Sequence, residues 1–294
     1  MDNNDSGSDG HRQKPETIGI IAGNGLFPAM FAREAGRQGF RVVTAAFRGE
    51  GEAILPDLSH VFRWFYLGQF KKLIRFFKEE GVERAVMLGG IRKTRIFFDV
   101  RPDSLAIKLL AMMRSSHDDG ILRLFADILL EHGIRIVHST VLIPELLSPP
   151  GLWTKKRPLA SHIKDIEVGW EVARRIGELD VGQCVVVGGG SVLAVEAIDG
   201  TDATIRRGGG LGRGDAVLVK LAKPGQDMRF DVPAVGPETI RVMHEAGLSV
   251  LALEAGKTIA LDRETIISEA DRLNICVLSV RNIEDLHAFC KEAK

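Results

Sequence analysis

The feature that most constrains the fold is a strand, glycine turn, helix and strand pattern at the start of the chain. An apolar run at residues 18–22 ends in Gly23-Asn24-Gly25. A helical pattern then runs from Pro28 to about residue 38, and residues 41–47 form a second apolar run. This order is typical of a βαβ unit, whose crossover predicts parallel strands.

The same alternation of strands and glycine-terminated helices continues to about residue 143, which predicts one Rossmann-like domain with a mostly parallel sheet. A proline-rich stretch from Pro144 to Pro158 then indicates a connector, and the strands and helices that follow predict a second α/β domain. We therefore expect a disordered tail at 1–16, a Rossmann-like domain at 17–146, a linker at 147–162 and a C-terminal α/β catalytic domain at 163–294.

The composition excludes several classes of protein. Lys+Arg and Asp+Glu are balanced at 39 each, so the chain has no overall positive charge with which to hold nucleic acid. The three cysteines, Cys184, Cys276 and Cys290, lack metal-site spacing and are expected to be small buried residues. The first residues are polar and acidic, unlike a signal peptide, and no apolar run is long enough to cross a membrane. These features predict a cytoplasmic protein.

The turn at Gly23, Asn24 and Gly25 has three interpretations. Glycines permit close backbone approach, and the helix that follows offers unpaired N–H groups and the positive end of its dipole, which suit a phosphate or a sugar nucleotide. A dinucleotide fingerprint would need glycine where Pro28 stands and an acid at the end of the second strand, where Arg48 follows Phe47. The third interpretation is a tight turn with no ligand.

Two charged segments of the second domain are candidates for diphosphate binding. Arg206 and Arg207 lead into a glycine-rich stretch at 208–212, which we interpret as a phosphate-binding loop. The alternative is a mobile hairpin loop whose arginines are merely solvated.

In the second segment, Lys220, Lys223 and Arg229 surround Asp227 and Asp231. Cations there can hold phosphate oxygens, and carboxylates can bind Mg²⁺ or position a water, although a structural ion-pair cluster would look the same.

A pair of acids, Asp118 and Asp119, opens a helix in the first domain. Aspartate is a common helix N-cap, which gives this pair an ordinary structural explanation. The alternative is that one of the two faces the ligand cleft.

Several motifs occur together in the order found in one enzyme family. The sequence resembles the UDP-2,3-diacylglucosamine pyrophosphatases of the I type, and the resemblance extends over about residues 17–280. The motifs that carry it are residues 19–28, Asp118-Asp119 with Leu122-Arg123, residues 179–183, residues 192–203, Lys223-Pro224 through residues 229–233, and residues 254–256.

The resemblance implies a two-domain hydrolase with its ligand site in the cleft between the domains. Water would attack the phosphorus nearer the sugar of UDP-2,3-diacylglucosamine, giving 2,3-diacylglucosamine 1-phosphate (lipid X) and UMP for lipid A synthesis. Mg²⁺ or another divalent cation would be required. The essential aspartate of the family's Arg-x-Asp-x-Pro motif corresponds to Asp231.

The other expected site residues follow from these motifs and from their charge. We expect substrate contacts from Gly23, Asn24, Gly25, Thr201, Asp202, Arg206, Arg207, Lys223 and Arg229, and metal binding from Asp231 and Asp227.

The expected partner is a lipid-linked sugar nucleotide, without nucleic acid. A peripheral position at the inner face of the inner membrane and a homodimer are further expectations. A basic run at residues 91–95 would suit an anionic membrane surface. Two other functions stay open: a carrier or sensor that binds such a nucleotide without turnover, and a nicotinamide-dependent oxidoreductase that rests on the glycine turn alone.

Overall fold

The computed structural model describes residues 15–91, 101–112, 118–212, 214–230 and 232–291. The chain divides into two compact units, Met1–Leu142 and Ile143–Lys294. Most of the predicted tail and of the basic run at 91–95 lies outside the described residues, and so does Asp231. In the part of the chain that is described, no helix combines the length and the apolarity needed to cross a membrane.

The first unit is built on one parallel sheet. Its strands are β1 (Thr17–Ala22), β2 (Arg41–Phe47), β3 (Val61–Phe65), β4 (Arg84–Leu88) and β5 (Arg135–Ile136), and its helices are α1 (Phe27–Arg37), α2 (Phe70–Glu79), α3 (Ser104–Met112) and α4 (Asp118–Glu131). The strand order is β3-β2-β1-β4-β5, with every pair parallel. This confirms the predicted Rossmann-like arrangement, in which the chain order reverses between β1 and β4.

Side-chain size explains how closely the helices pack on this sheet. Phe31, Phe76 and Phe77 are fully buried, and the strands between them carry mostly alanine and β-branched residues. At Gly19, an added Cβ would lie 2.6 Å from a methyl carbon of Val82. Such a contact leaves no room for a side chain, so this part of β1 requires glycine.

The second unit contains eight strands and five helices among the described residues. The strands are β6 (Gly151–Leu152), β7 (Cys184–Gly188), β8 (Ser191–Val195), β9 (Ala216–Lys220), β10 (Ala234–Val235), β11 (Leu248–Glu254), β12 (Ile259–Ala260) and β13 (Cys276–Val280). The helices are α5 (Ala160–Glu178), α6 (Thr201–Leu211), α7 (Pro237–Glu245), α8 (Arg263–Arg272) and α9 (Ile283–Lys291).

The main sheet of this unit has the order β6-β13-β11-β9-β7-β8 and is mixed. β9, β11 and β13 are parallel, whereas β7 runs antiparallel to β9 and to β8. One core cluster joins the sheet to α6, α7 and α8, and a second joins its other face to α5 and α9. Alternate residues of β9 point to the two clusters, as the period of a strand requires. This confirms the second α/β domain.

Several elements differ from the sequence interpretation. The glycine-rich stretch at 208–212, which we expected to form a phosphate-binding loop, lies almost entirely within the helix α6 (Thr201–Leu211), so that interpretation of the local structure is wrong. The strand β3 and the terminal helix α9 were not predicted. The stretch expected as a linker, 147–162, contains β6, which pairs with β13, and the beginning of α5.

The hairpin between β7 and β8 is held by one buried carboxylate. Asp165 of α5 is 3% exposed, and its two oxygens accept hydrogen bonds from the backbone of Gly189 (3.1 Å) and Gly190 (2.6 Å). Both glycines have positive φ, so the tight turn presents its N–H groups together.

Because hydrogen bonds to a charged group contribute about 1.5–3 kcal/mol, we expect Asp165→Ala to lower the free energy of unfolding by roughly that amount. Urea denaturation would measure it. Glu171→Ala on the same helix is the matched control, because the exposed pair of Glu171 with Arg175 should contribute less than about 1 kcal/mol. Equal stability of the two variants would contradict the anchoring role.

Candidate functional site

The predicted glycine turn of the first unit packs against a second glycine turn. Gly23 N–H donates to the carbonyl of Leu88 at 2.8 Å, and Asn24 N–H donates to the carbonyl of Gly90 at 2.9 Å. A Cβ on Gly23 would lie 2.3 Å from the Gly90 oxygen, and one on Gly89 would lie 2.1 Å from the Asn24 oxygen. Both turns therefore need glycine for close contact between the ends of β1 and β4.

The side chain of Asn24 ties this junction to the end of β2. Its amide nitrogen donates to the Glu50 carboxylate at 3.0 Å, and its carbonyl oxygen accepts from Gly90 N–H at 3.3 Å. Glu50 is 7% exposed. An acid near this position binds ribose in dinucleotide sites, whereas here it holds the turn, which weakens the nicotinamide interpretation. Gly25 and the first turn of α1 still offer N–H groups to a ligand.

In the second unit, a buried polar chain lies where β9 ends and α6 begins. Lys220 Nζ donates to Thr201 Oγ1 at 3.0 Å and to the carbonyl of Ala234 at 2.9 Å. The Thr201 hydroxyl donates to Glu196 Oε1 at 2.7 Å, and Glu196 Oε2 accepts from Gln183 N–H at 2.9 Å. The hydroxyl of Thr201, a predicted substrate ligand, is thus part of an internal network.

Two of these charged residues are almost completely buried. Lys220 is 5% exposed and Glu196 is 6% exposed. Neither side chain forms an ion pair with another described residue. Burial, and after it the Glu196 carboxylate, raises the pKa of the neighbouring Cys184 thiol, so this cysteine stays neutral. Cys184 and Cys276 are both buried, as predicted for them.

Helix α6 carries four predicted site residues, and the structure gives them different surroundings. Asp202 and Arg206 are exposed and have no ion pair among the described residues. Arg207 is already engaged, since its Nε donates to Asp199 Oδ2 at 3.1 Å and a terminal nitrogen donates to the carbonyl of Val195 at 2.8 Å. Arg206 is therefore the more available of the two arginines.

The segment after β9 contains the remaining predicted cations, each of which contacts an acid. Lys223 Nζ donates to Asp180 Oδ1 at 2.7 Å. Arg229 forms a two-pronged pair with Asp227, with nitrogen–oxygen distances of 2.9 and 2.7 Å. These ion pairs order the backbone on one side of Asp231, which itself lies outside the described residues.

The described part of the chain contains no preformed metal site, because no three of its His, Cys, Asp or Glu side chains lie close enough together to hold a metal ion. Both oxygens of Asp227 accept from Arg229, so metal binding there would require this pair to open. The described residues alone therefore do not fit a protein-built cation cage. Mg²⁺ commonly needs only one or two carboxylates in addition to substrate phosphates and water.

The sequence did not predict the burial of two charged residues of the site, and three predicted residues, Asp118, Asp119 and Asp231, lack described side chains. Glu196 was not predicted, and Lys220 was named only as one cation of a charged segment, although each is a charged residue at the end of an apolar strand sequence. That interruption is the signal that would have found them, because isolated charges are seldom buried without a function or partner. Asp118 and Asp119 begin α4, but their side chains fall outside the described set.

Comparison with known proteins gives one family over both units. Residues 17–146 match the model described as the LpxI N-terminal domain, and residues 149–278 match that of the LpxI C-terminal domain. Among characterised relatives, the chain is similar to the UDP-2,3-diacylglucosamine pyrophosphatase LpxI of Caulobacter vibrioides. The two are 33% identical over 279 residues, which cover 90% of this chain and 97% of the relative.

Proposed function

The chain belongs to the LpxI family, and on that basis we propose that it hydrolyses the diphosphate of UDP-2,3-diacylglucosamine in lipid A synthesis. One water is consumed, and the products are UMP and 2,3-diacylglucosamine 1-phosphate. The observation that carries the proposal is the match of both units to the family, together with 33% sequence identity to a pyrophosphatase over nearly the whole length of that relative.

Positive charges on and beside α6 support this chemistry. Transfer of a phosphoryl group to water needs little covalent help from the protein, and depends on positioning and on neutralising the negative charge of the phosphates. Lys220 and Arg206 bring positive charge to this helix, whose first N–H groups have no partner within it. In this proposal Arg207, Lys223 and Arg229 contact the diphosphate while each remains paired with an acid, and these pairs fix the positions of the cations.

We assign the catalytic role to Asp231, which occupies the aspartate position of the Arg-x-Asp-x-Pro motif. The segment that contains it follows the carboxyl end of β9, where active-site residues of open α/β sheets commonly lie. Its carboxylate would orient the attacking water or bind a divalent cation. When bound to the diphosphate, such a cation would neutralise oxygen charge, and Asp231 is the carboxylate proposed to hold it, joined by Asp227 if its pair with Arg229 opens.

The test is UMP release from UDP-2,3-diacylglucosamine by the purified full-length chain, with Mg²⁺ and with EDTA. We expect turnover with Mg²⁺, loss in EDTA, and recovery when the cation is restored. In ¹⁸O-labelled water, attack at the phosphorus nearer the sugar would place the label in the sugar phosphate, and attack at the other phosphorus would place it in UMP.

Each alternative outcome has a separate meaning. Unchanged turnover in EDTA would overturn the metal requirement while leaving the hydrolase in place. Tight binding of the lipid nucleotide without UMP release would instead favour a carrier or sensor. Label in UMP would reverse the proposed site of attack.

Two more proposals are peripheral membrane contact at the cytoplasmic face, which the acyl chains of the proposed substrate support, and a homodimer. Among the described residues, Leu179 (74%) and Ile198 (86%) are the most exposed leucine and isoleucine side chains, and they are candidates for contact with lipid. Co-sedimentation with vesicles of anionic phospholipid tests the first proposal. Light scattering across a range of protein concentrations tests the second.

A further inference from the structure

The side chain of Lys220 is a buried positive charge that lacks a carboxylate partner in the described part of the chain. An ammonium has three N–H donors, and two of them are used by neutral acceptors, Thr201 Oγ1 and the Ala234 carbonyl. Removing an ammonium from water costs several kcal/mol, and neutral acceptors recover only part of this cost. A lysine needed only for stability would be better placed beside an acid.

The surroundings of Lys220 add a second source of positive potential. Thr201, which accepts its hydrogen bond, is the first residue of the eleven-residue helix α6, and the N-cap Gly200 has no side chain to satisfy the first N–H groups. The ammonium and the positive end of the helix dipole therefore lie together. Their repulsion destabilises the folded protein unless an anion is bound between them.

Glu196 does not neutralise this charge directly but fixes its geometry. Its oxygens accept from the Thr201 hydroxyl and from Gln183 N–H. Since Thr201 has a single hydroxyl hydrogen and donates it to Glu196, its oxygen must accept from Lys220. Gly182 packs directly on Glu196, because an added Cβ would lie 2.2 Å from the Glu196 carbonyl oxygen. This series of hydrogen bonds fixes the direction of each bond, and hence the position of Lys220 Nζ.

From these contacts we infer that Lys220 is a phosphate-binding residue for the diphosphate of the substrate, with Thr201 and Glu196 as its positioning residues. The third N–H of the ammonium and the first N–H groups of α6 together bind phosphate oxygens. This inference rests on the proposed function and specifies that the buried ammonium of Lys220 contacts the phosphates directly.

The experiment uses inorganic pyrophosphate as the probe, because its binding does not depend on turnover. Affinity is measured by calorimetry on the full-length chain, beside kcat and KM for UMP release. Loss of one charge-assisted hydrogen bond, about 1.5–3 kcal/mol, corresponds to a loss of roughly 10- to 150-fold. We expect Lys220→Met to weaken pyrophosphate binding and to lower kcat/KM by factors in this range. The exposed Lys164→Met, on α5, is the matched control and should match the wild type.

A pair of threonine variants separates positioning from folding. Thr201→Ser keeps the hydroxyl and should bind pyrophosphate within about threefold of wild type. Thr201→Val removes the hydrogen bonds that link Lys220 to Glu196 and should lower the affinity for pyrophosphate roughly tenfold. The two threonine variants still test the inference if Lys220→Met fails to fold. Glu196→Gln, which still accepts hydrogen bonds but has lost its charge, should fall between the two.

The inference is overturned if folded Lys220→Met, or folded Thr201→Val, binds pyrophosphate as wild type does. Failure of the proposed function would look different. Wild type would then release no UMP, while pyrophosphate binding would still depend on Lys220. If turnover is normal and both variants bind pyrophosphate normally, the hydrolase stands and the role of Lys220 does not.

Discussion

Asp231→Asn is expected to lower kcat for UMP release by roughly 10²- to 10⁴-fold, the usual effect of removing a group that positions or activates a nucleophile. Asparagine has nearly the same shape but cannot carry the negative charge that would bind a cation or accept a proton. The neighbouring backbone is ordered by the forked pair of Arg229 with Asp227, so the substitution should leave the fold unchanged.

The control for this variant is Asp262→Asn in the same unit. Asp262 caps α8 by accepting from Thr265 N–H, and asparagine is an equally good cap, so activity and stability should both be unchanged. A loss of less than about tenfold in kcat for Asp231→Asn, roughly 1.4 kcal/mol, would contradict both roles proposed for this residue.

A titration with Mg²⁺ distinguishes the two roles of Asp231. If the carboxylate binds the cation, Asp231→Asn should need a higher Mg²⁺ concentration for half-maximal turnover, because one ligand has lost its charge. If it orients the water, the Mg²⁺ requirement should be unchanged and only kcat should fall.

Most secondary structure of the first unit could be predicted because it depends on local sequence patterns. Apolar runs that end in glycine identified β1, α1, β2, α2 and β4, and a parallel sheet follows from their alternation. The strand β3 was not predicted because its sequence, Val61–Phe65, contains aromatic and charged residues that do not alternate regularly between apolar and polar. Its pairing with β2 at the edge of the sheet depends on residues that are distant along the chain.

The site was only partly readable, because a cation's partners are set by tertiary structure. Lys223 looks like a phosphate ligand in the sequence, yet in the fold it contacts Asp180, 43 residues earlier. Lys220 lies in the same charged segment but has no acid beside it among the described residues. It ends an apolar strand, and its burial and its contact with Thr201 become visible only when β9 and α6 are brought together.

The glycine run of α6 was misread for a different physical reason. Three consecutive glycines, Gly208 to Gly210, are poor helix formers and cost about 1 kcal/mol each relative to alanine, which favours a loop. In the fold they allow close packing of the helix. A Cβ on Gly208 would lie 2.5 Å from the Val186 Cβ, and one on Gly209 would lie 2.1 Å from the Ala246 carbonyl oxygen. Packing against β7 and the end of α7 therefore outweighs propensity.

Adjacent glycines of this helix should consequently respond to alanine in opposite directions. Gly209→Ala forces a methyl group against the Ala246 backbone and should lower the free energy of unfolding by about 2–3 kcal/mol, as overpacking does. Gly210→Ala meets no atom within 4 Å and should raise it by about 0.5–1 kcal/mol through helix propensity.

Urea denaturation of the two variants measures the difference, with the same chemical change made one residue apart. Both substitutions reduce the flexibility of the unfolded chain equally, so this effect cancels and the difference reports the contact with α7. If Gly209→Ala were as stable as Gly210→Ala, α6 would not pack closely on the end of α7. The glycine run would then have to be explained by the local backbone alone, which is the loop interpretation that the sequence first suggested.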